Sequence, residues 1–78
     1  KSTRVVLFEV PRATNAYTFL LDLPKGGSVR VCQYDKRKRL KAEMTTDKSF
    51  FTVDVAKGVD HFELVGKADV YEIIPKRM

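Results

Sequence analysis

The feature that most constrains this chain is an alternation of apolar and polar residues with a period of two, which recurs along most of its length. It is clearest in residues 17–23, where every second position is apolar: Tyr17, Phe19, Leu21 and Leu23. Successive side chains of a β-strand point to opposite faces, so this period predicts strands with one buried face. No segment sustains the 3.6-residue period of an amphipathic helix. The chain is therefore predicted to be all-β.

Six further segments read as strands: residues 4–10, 28–34, 40–44, 50–55, 61–65 and 68–74. Residues 40–44 also favour helix by composition, but their alternation and short length favour a strand. Residues 4–10 are apolar on both sides, with Val5 and Leu7 on one and Val6 and Phe8 on the other. That pattern predicts a strand covered on both faces for part of its length.

Proline and glycine divide these segments. The run Pro24-Lys25-Gly26-Gly27 predicts a reverse turn that joins residues 17–23 and 28–34 in a β-hairpin. Pro75 is expected to end the last strand, because proline has no N–H for the ladder.

Seven short strands with regularly spaced turns predict a small antiparallel β-sandwich, immunoglobulin-like or jelly-roll-like. A five-stranded OB-like barrel is the alternative, if neighbouring segments merge into longer strands. The predicted core is Phe8, Phe19, Leu21, Val31, Phe51 and Phe62.

The length of 78 residues allows a single domain over residues 1–78. The chain begins without Met, so either its N-terminus was processed or it is a domain of a longer protein, and we favour the second interpretation. Its lone cysteine, Cys32, has no partner within the chain for a disulfide. The longest apolar run is far below the ~20 residues that a membrane-spanning helix needs, so we expect no membrane span.

The chain also offers no catalytic constellation. Nucleophilic catalysis needs a nucleophile, a nearby base and a group that orients the base. The only histidine, His61, lies within a predicted strand, and Cys32 lies in the middle of another. One cysteine and one histidine do not supply the four ligands of a structural zinc site. We therefore expect neither an enzyme nor a cofactor or metal.

The most distinctive local feature is a cluster of five cations, Lys36, Arg37, Lys38, Arg39 and Lys41. On a hairpin loop these side chains would create a local positive potential suited to phosphate or carboxylate groups. Arg30 and Tyr34 precede the cluster and share a strand face, so they are possible flanking contacts. The net charge of +5 fits an acidic partner, although it also fits a domain that is merely kept soluble, with the cluster as a solvated turn or as protection of a strand edge.

The strand pattern resembles small immunoglobulin-like or jelly-roll sandwiches, including accessory domains of carbohydrate-active enzymes. The chain departs from true immunoglobulin domains in having no Trp and one Cys, and no functional residue is carried over. We expect a noncatalytic binding or assembly module that uses sheet edges and loops to hold a protein partner, its parent chain or a second copy. The alternatives are a nucleic-acid-binding protein that contacts phosphates through the basic cluster, and an accessory carbohydrate-binding sandwich of a larger enzyme.

Overall fold

The computed structural model describes residues 4–77, which form seven β-strands. The strands are β1 (Arg4–Glu9), β2 (Thr14–Asp22), β3 (Val29–Asp35), β4 (Leu40–Thr46), β5 (Phe50–Asp54), β6 (Val59–Gly66) and β7 (Asp69–Arg77). No helix occurs within residues 4–77. That range therefore contains no helix that is long and apolar enough to cross a membrane.

Two antiparallel sheets make up the fold. One has four strands in the order β1-β6-β3-β4, and the other has three in the order β5-β2-β7. The small antiparallel sandwich predicted from the sequence is confirmed, and the strands divide between two sheets instead of closing into an OB-like barrel. Segment 40–44 is a strand, as its alternation predicted, and it pairs with β3 with Met44 opposite Val31.

The core lies between the sheets and is rich in aromatic rings. Phe19 and Phe62 are fully buried, one from each sheet. The ring of Phe8 packs against one aromatic ring from each sheet. Its centroid lies 5.3 Å from that of Phe62 and 5.1 Å from that of Tyr17. Of the six predicted core residues, four are buried, and Phe8 and Phe51 are half-buried residues packed against them. Alternation thus identified the inward faces.

The side chain of Gln33 ties the two sheets together. It is buried, its Nε2 donates to the Asp54 carbonyl at 3.1 Å, and its Oε1 accepts from the Ala56 amide at 2.8 Å. These bonds satisfy both ends of the amide and hold the connection between β5 and β6 against the end of β3. Gln33, a polar residue on the core face of β3, therefore fixes the position of the β5–β6 connection.

The predicted hairpin between residues 17–23 and 28–34 is wrong. Pro24-Lys25-Gly26-Gly27 does form a turn, in which the Gly27 amide donates to the Pro24 carbonyl at 2.8 Å. However, β2 and β3 belong to different sheets, so this turn carries the chain across the sandwich. A proline–glycine turn reverses direction whether or not the flanking strands pair.

Two further predictions need correction. Only one face of β1 is covered, because Val5 and Leu7 are 53% and 66% exposed on the outer side of the four-stranded sheet.

Pro75 does not end β7, which continues to Arg77 with Pro75 opposite Tyr17. β7 is an edge strand, where a missing N–H can face away from the ladder at no cost in pairing.

Candidate anion-binding surface

The predicted basic cluster lies on the β-hairpin that joins β3 and β4. The Asp35 carbonyl accepts from the Lys38 amide at 2.9 Å, and the Asp35 amide donates to the Arg39 carbonyl at 3.0 Å. Lys38 has a φ of 64°, in the left-handed region that favours glycine. A turn followed by one left-handed residue is a common three-residue hairpin loop. The loop therefore has a defined backbone, from which its side chains project.

The carboxylate of Asp35 holds this loop from within. Its Oδ1 accepts from the amides of Arg37 and Arg39 at 2.8 and 2.9 Å, and its Oδ2 accepts from Nε of Arg39 at 2.9 Å. These bonds, with the Arg39 amide first among them, lower the pKa of Asp35 because they stabilise the ionised form. Asp35 is buried, whereas Lys36, Arg37 and Lys38 around it are exposed. One acid thus orders a loop of cations and neutralises only Arg39 directly.

Other basic residues lie at the same end of the sandwich, which we call the basic end. It consists of the connections β1–β2, β3–β4 and β5–β6, the carboxyl end of β7 and the strand residues beside them. Nine of the 15 lysines and arginines lie there: Arg12, Lys36, Arg37, Lys38, Arg39, Lys41, Lys57, Lys76 and Arg77. Four of the 10 acids lie there: Glu9, Asp35, Asp54 and Asp60. The rest of residues 4–77 holds five cations and six acids, so the basic end carries a net charge of +5 and the rest of that range carries −1.

A shallow depression of about 320 Å³ opens between two of these connections. Its basic lining comes from the β3–β4 hairpin and from Lys57 on the β5–β6 turn, and Asp35 and Asp60 form part of its wall. The basic lining residues are Lys36, Arg37, Arg39, Lys41 and Lys57. Lys57 is not among the site residues predicted from the sequence. Because antiparallel strands alternate in direction, the connections after odd-numbered strands meet at one end, and that rule would have placed Lys57 beside the cluster.

The two predicted flanking residues have different surroundings. Arg30 lies four residues before Tyr34 on β3, and its Nε pairs with Oε2 of Glu43 at 2.9 Å. The fold therefore leaves Arg30 about 13 Å along the strand from Tyr34 and away from the hairpin loop. Tyr34 does lie beside the loop, but its ring stacks on His61 with centroids 5.3 Å apart, and its hydroxyl donates to Glu63 at 3.0 Å.

A second, larger hollow of about 480 Å³ lies on the outer face of the four-stranded sheet. β1 contributes Leu7, Phe8 and Glu9, while β3, β6 and the hairpin loop complete the lining with Tyr34, His61, Glu63 and Lys38. The hydrogen bond to Glu63 raises the pKa of Tyr34 to about 12, because only the protonated phenol can donate it, and burial of the phenol acts in the same direction. Tyr34 is thus a neutral donor that fixes one wall of this hollow. We call it the β1 hollow.

The cysteine and the histidine lie in different surroundings. Cys32 is fully buried on the central strand β3. Nδ1 of His61 lies 2.6 Å from Oδ1 of Asp60. Within residues 4–77, no three His, Cys, Asp or Glu side chains form a group that could hold a metal ion.

Comparison with protein-family models, with curated proteins and with solved structures finds no match to this chain.

Proposed function

We propose that this chain is a noncatalytic binding module that holds an anionic partner at its basic end. The observation that carries the proposal is the net charge of +5 at one end of the sandwich, whereas the other residues of 4–77 sum to −1. A domain that needed charge only for solubility would have no reason to collect it there. Clustered cations steer acidic ligands toward one surface and retain them in a salt-dependent way.

The cations of the basic end are also available to a ligand. Among residues 4–77, Arg39 is the only member of the basic cluster in an ion pair with an acid, and that acid also orders the loop. Lys36, Arg37, Lys38 and Lys57 are exposed on the two connections. A ligand carboxylate or phosphate would meet several cations on a backbone that is already ordered, so little conformational entropy is lost on binding.

The arrangement of aromatic rings supports contacts with charged groups over contacts with bases or sugars. Tyr17 is in the core, and Tyr34 is engaged by His61 and Glu63. The most exposed rings are Phe50 and Tyr71, at 65% and 63%, and both lie on the three-stranded sheet toward the end opposite the basic cluster. Stacking on a base needs an aromatic face beside the charge. A nucleic acid would therefore be bound through its phosphates, and the accessory carbohydrate-binding alternative has the weakest support.

Replacing charges at the two ends of the molecule tests the proposal. The triple variant Lys36→Gln, Arg37→Gln, Lys38→Gln should weaken binding of both poly-glutamate and single-stranded DNA at least tenfold at low salt. For the DNA, the slope of log affinity against log salt should become shallower by about 2 units, since each neutralised phosphate contributes about 0.7. The measurement is fluorescence anisotropy at several salt concentrations.

The matched control removes the same charge from the other end. Lys25→Gln, Lys48→Gln, Lys67→Gln alters three exposed lysines in the connections β2–β3, β4–β5 and β6–β7. It should change affinity less than threefold. Equal losses in the two triple variants would show that net charge alone governs binding, and no binding of either polyanion at low salt would refute the proposal.

A further inference from the structure

We infer that the free edge of β1, together with the β1 hollow, docks an extended segment of an acidic protein partner that carries an apolar side chain. The inference rests on the proposed function and names its partner class. Its structural basis is the meeting of an apolar strand edge and the basic end at one place in the fold.

β1 is the least protected of the four edge strands. β4 and β7 pair with register irregularities, β7 contains Pro75, and β5 has only five residues. Such features discourage strand addition. β1 pairs with β6 over six residues without interruption, and no strand formed by residues 4–77 pairs with its other side. Its backbone groups on that side are therefore available to an added strand.

The side chains along β1 favour a partner with an apolar group. Val5 and Leu7 are exposed on the outer face, and Leu7 borders the β1 hollow. An added strand would place alternate side chains over this face, and the hollow of about 480 Å³ has room for a leucine or phenylalanine side chain. Burying that side chain against Leu7 removes apolar surface from water on both partners.

The cations near the end of β1 favour an acidic segment at this edge. β1 ends at the basic end, where Lys38 lines the β1 hollow and the cationic depression lies beyond it. Acidic residues of the segment that follow the apolar anchor would therefore meet cations. A continuous phosphate backbone fits less well, because it would place phosphates beside Glu9 and Glu63 in the hollow, where the protein segment places its apolar side chain. The mixture of apolar and charged walls matches a protein segment better than a nucleic acid.

Two synthetic peptides of equal negative charge distinguish the docking from simple charge attraction. One contains only Glu and Ser, and in the other alternate Ser residues are replaced by Leu. The Leu-containing peptide should bind about tenfold more tightly, the scale set by burying one leucine side chain. Amide chemical-shift changes in NMR spectra should be largest in β1 and around the β1 hollow, with new protection from hydrogen exchange along β1.

Leu7→Ser should remove most of the advantage of the Leu-containing peptide and leave binding of the Glu/Ser peptide unchanged. Phe50→Ser is the matched control, because Phe50 is 65% exposed against 66% for Leu7 but lies on the other sheet. Both variants alter exposed side chains, so folding should be preserved.

The outcomes separate the two proposals. If neither peptide nor DNA binds, the proposed function fails. If the two peptides bind equally, or DNA of the same charge binds more tightly than the Leu-containing peptide, only the docking inference fails. A wild-type dimer in light scattering that Leu7→Ser converts to a monomer would assign the edge to a second copy and overturn the inference.

Discussion

The carboxylate of Asp35 bonds to Arg39 twice, accepting from its backbone amide and from its guanidinium Nε, each at 2.9 Å. This pair closes the β3–β4 loop on itself and leaves the neighbouring cations pointing outward. The most basic loop of the molecule is thus ordered by an acid beneath it. The hydrogen bonds that order this loop are all made within the chain.

The first prediction concerns that acid. Asp35→Ala removes the acceptor of two amides and one guanidinium, so the thermal midpoint should fall by several degrees and the Arg37 and Arg39 amides should exchange faster. Asp47→Ala, in the exposed β4–β5 connection, is the control and should have little effect. Calorimetry and hydrogen exchange provide the measurements. Unchanged exchange at Arg37 and Arg39 would contradict the role given to Asp35.

The contribution of Asp35 to the stability of the fold depends on pH in a defined direction. The folded-state pKa of Asp35 is lowered, mainly by the Arg39 amide. Its stabilising contribution is therefore complete above the pKa of the unfolded chain and is lost as the pH falls through the folded-state value. The Asp35→Ala variant should consequently lose less of its free energy of unfolding than the wild-type protein does as the pH falls.

The second prediction concerns Lys38, which has a φ of 64°. A side chain in this region costs about 1–2 kcal/mol, and glycine avoids that cost while gaining freedom in the unfolded chain. Lys38→Gly should therefore raise the free energy of unfolding by about 0.5–1 kcal/mol. Lys36→Gly, where φ is not positive, should lower it. Denaturant titration measures both, and a destabilised Lys38→Gly would count against the left-handed loop.

The third prediction concerns the amide that joins the sheets. Gln33→Leu leaves the Asp54 carbonyl and the Ala56 amide without their partner, which should lower the free energy of unfolding by about 2–3 kcal/mol. Because the Ala56 bond holds the β5–β6 connection, the Lys57 amide should also exchange faster. Gln33→Glu keeps the length of the side chain but cannot donate when ionised, so it should be similarly destabilising near neutral pH and partly rescued in acid.

The fourth prediction uses the hydrogen bond from Tyr34 to Glu63. It raises the pKa of Tyr34 from 10.0 to about 12. The folded protein then holds this proton more tightly than the unfolded chain, so the contribution is complete below about pH 10 and is lost between about pH 10 and 12. Tyr34→Phe should reduce the alkaline loss of stability, and near-ultraviolet titration should lose its latest tyrosinate step. An unchanged titration curve would show that another tyrosine ionises last.

Local pattern was sufficient for some of these features. The alternation at Phe19, Leu21, Val31 and Phe62 identified inward faces, and the charged run from Lys36 to Lys41 identified an exposed hairpin loop. Both follow from short-range physics: side chains alternate along a strand, and a loop of charges stays in water. For this reason the all-β class, the number of strands and the basic cluster were predictable from the sequence.

The sequence by itself determined which residues form strands and which side of most strands is apolar. Only the tertiary structure decided that β2 and β3 lie in different sheets, that one face of β1 at Val5 and Leu7 is open, and that Lys57 joins the basic hairpin. The physical reason is that strand pairing and exposure depend on partners distant in the chain, whereas a period of two records only the local direction of each side chain.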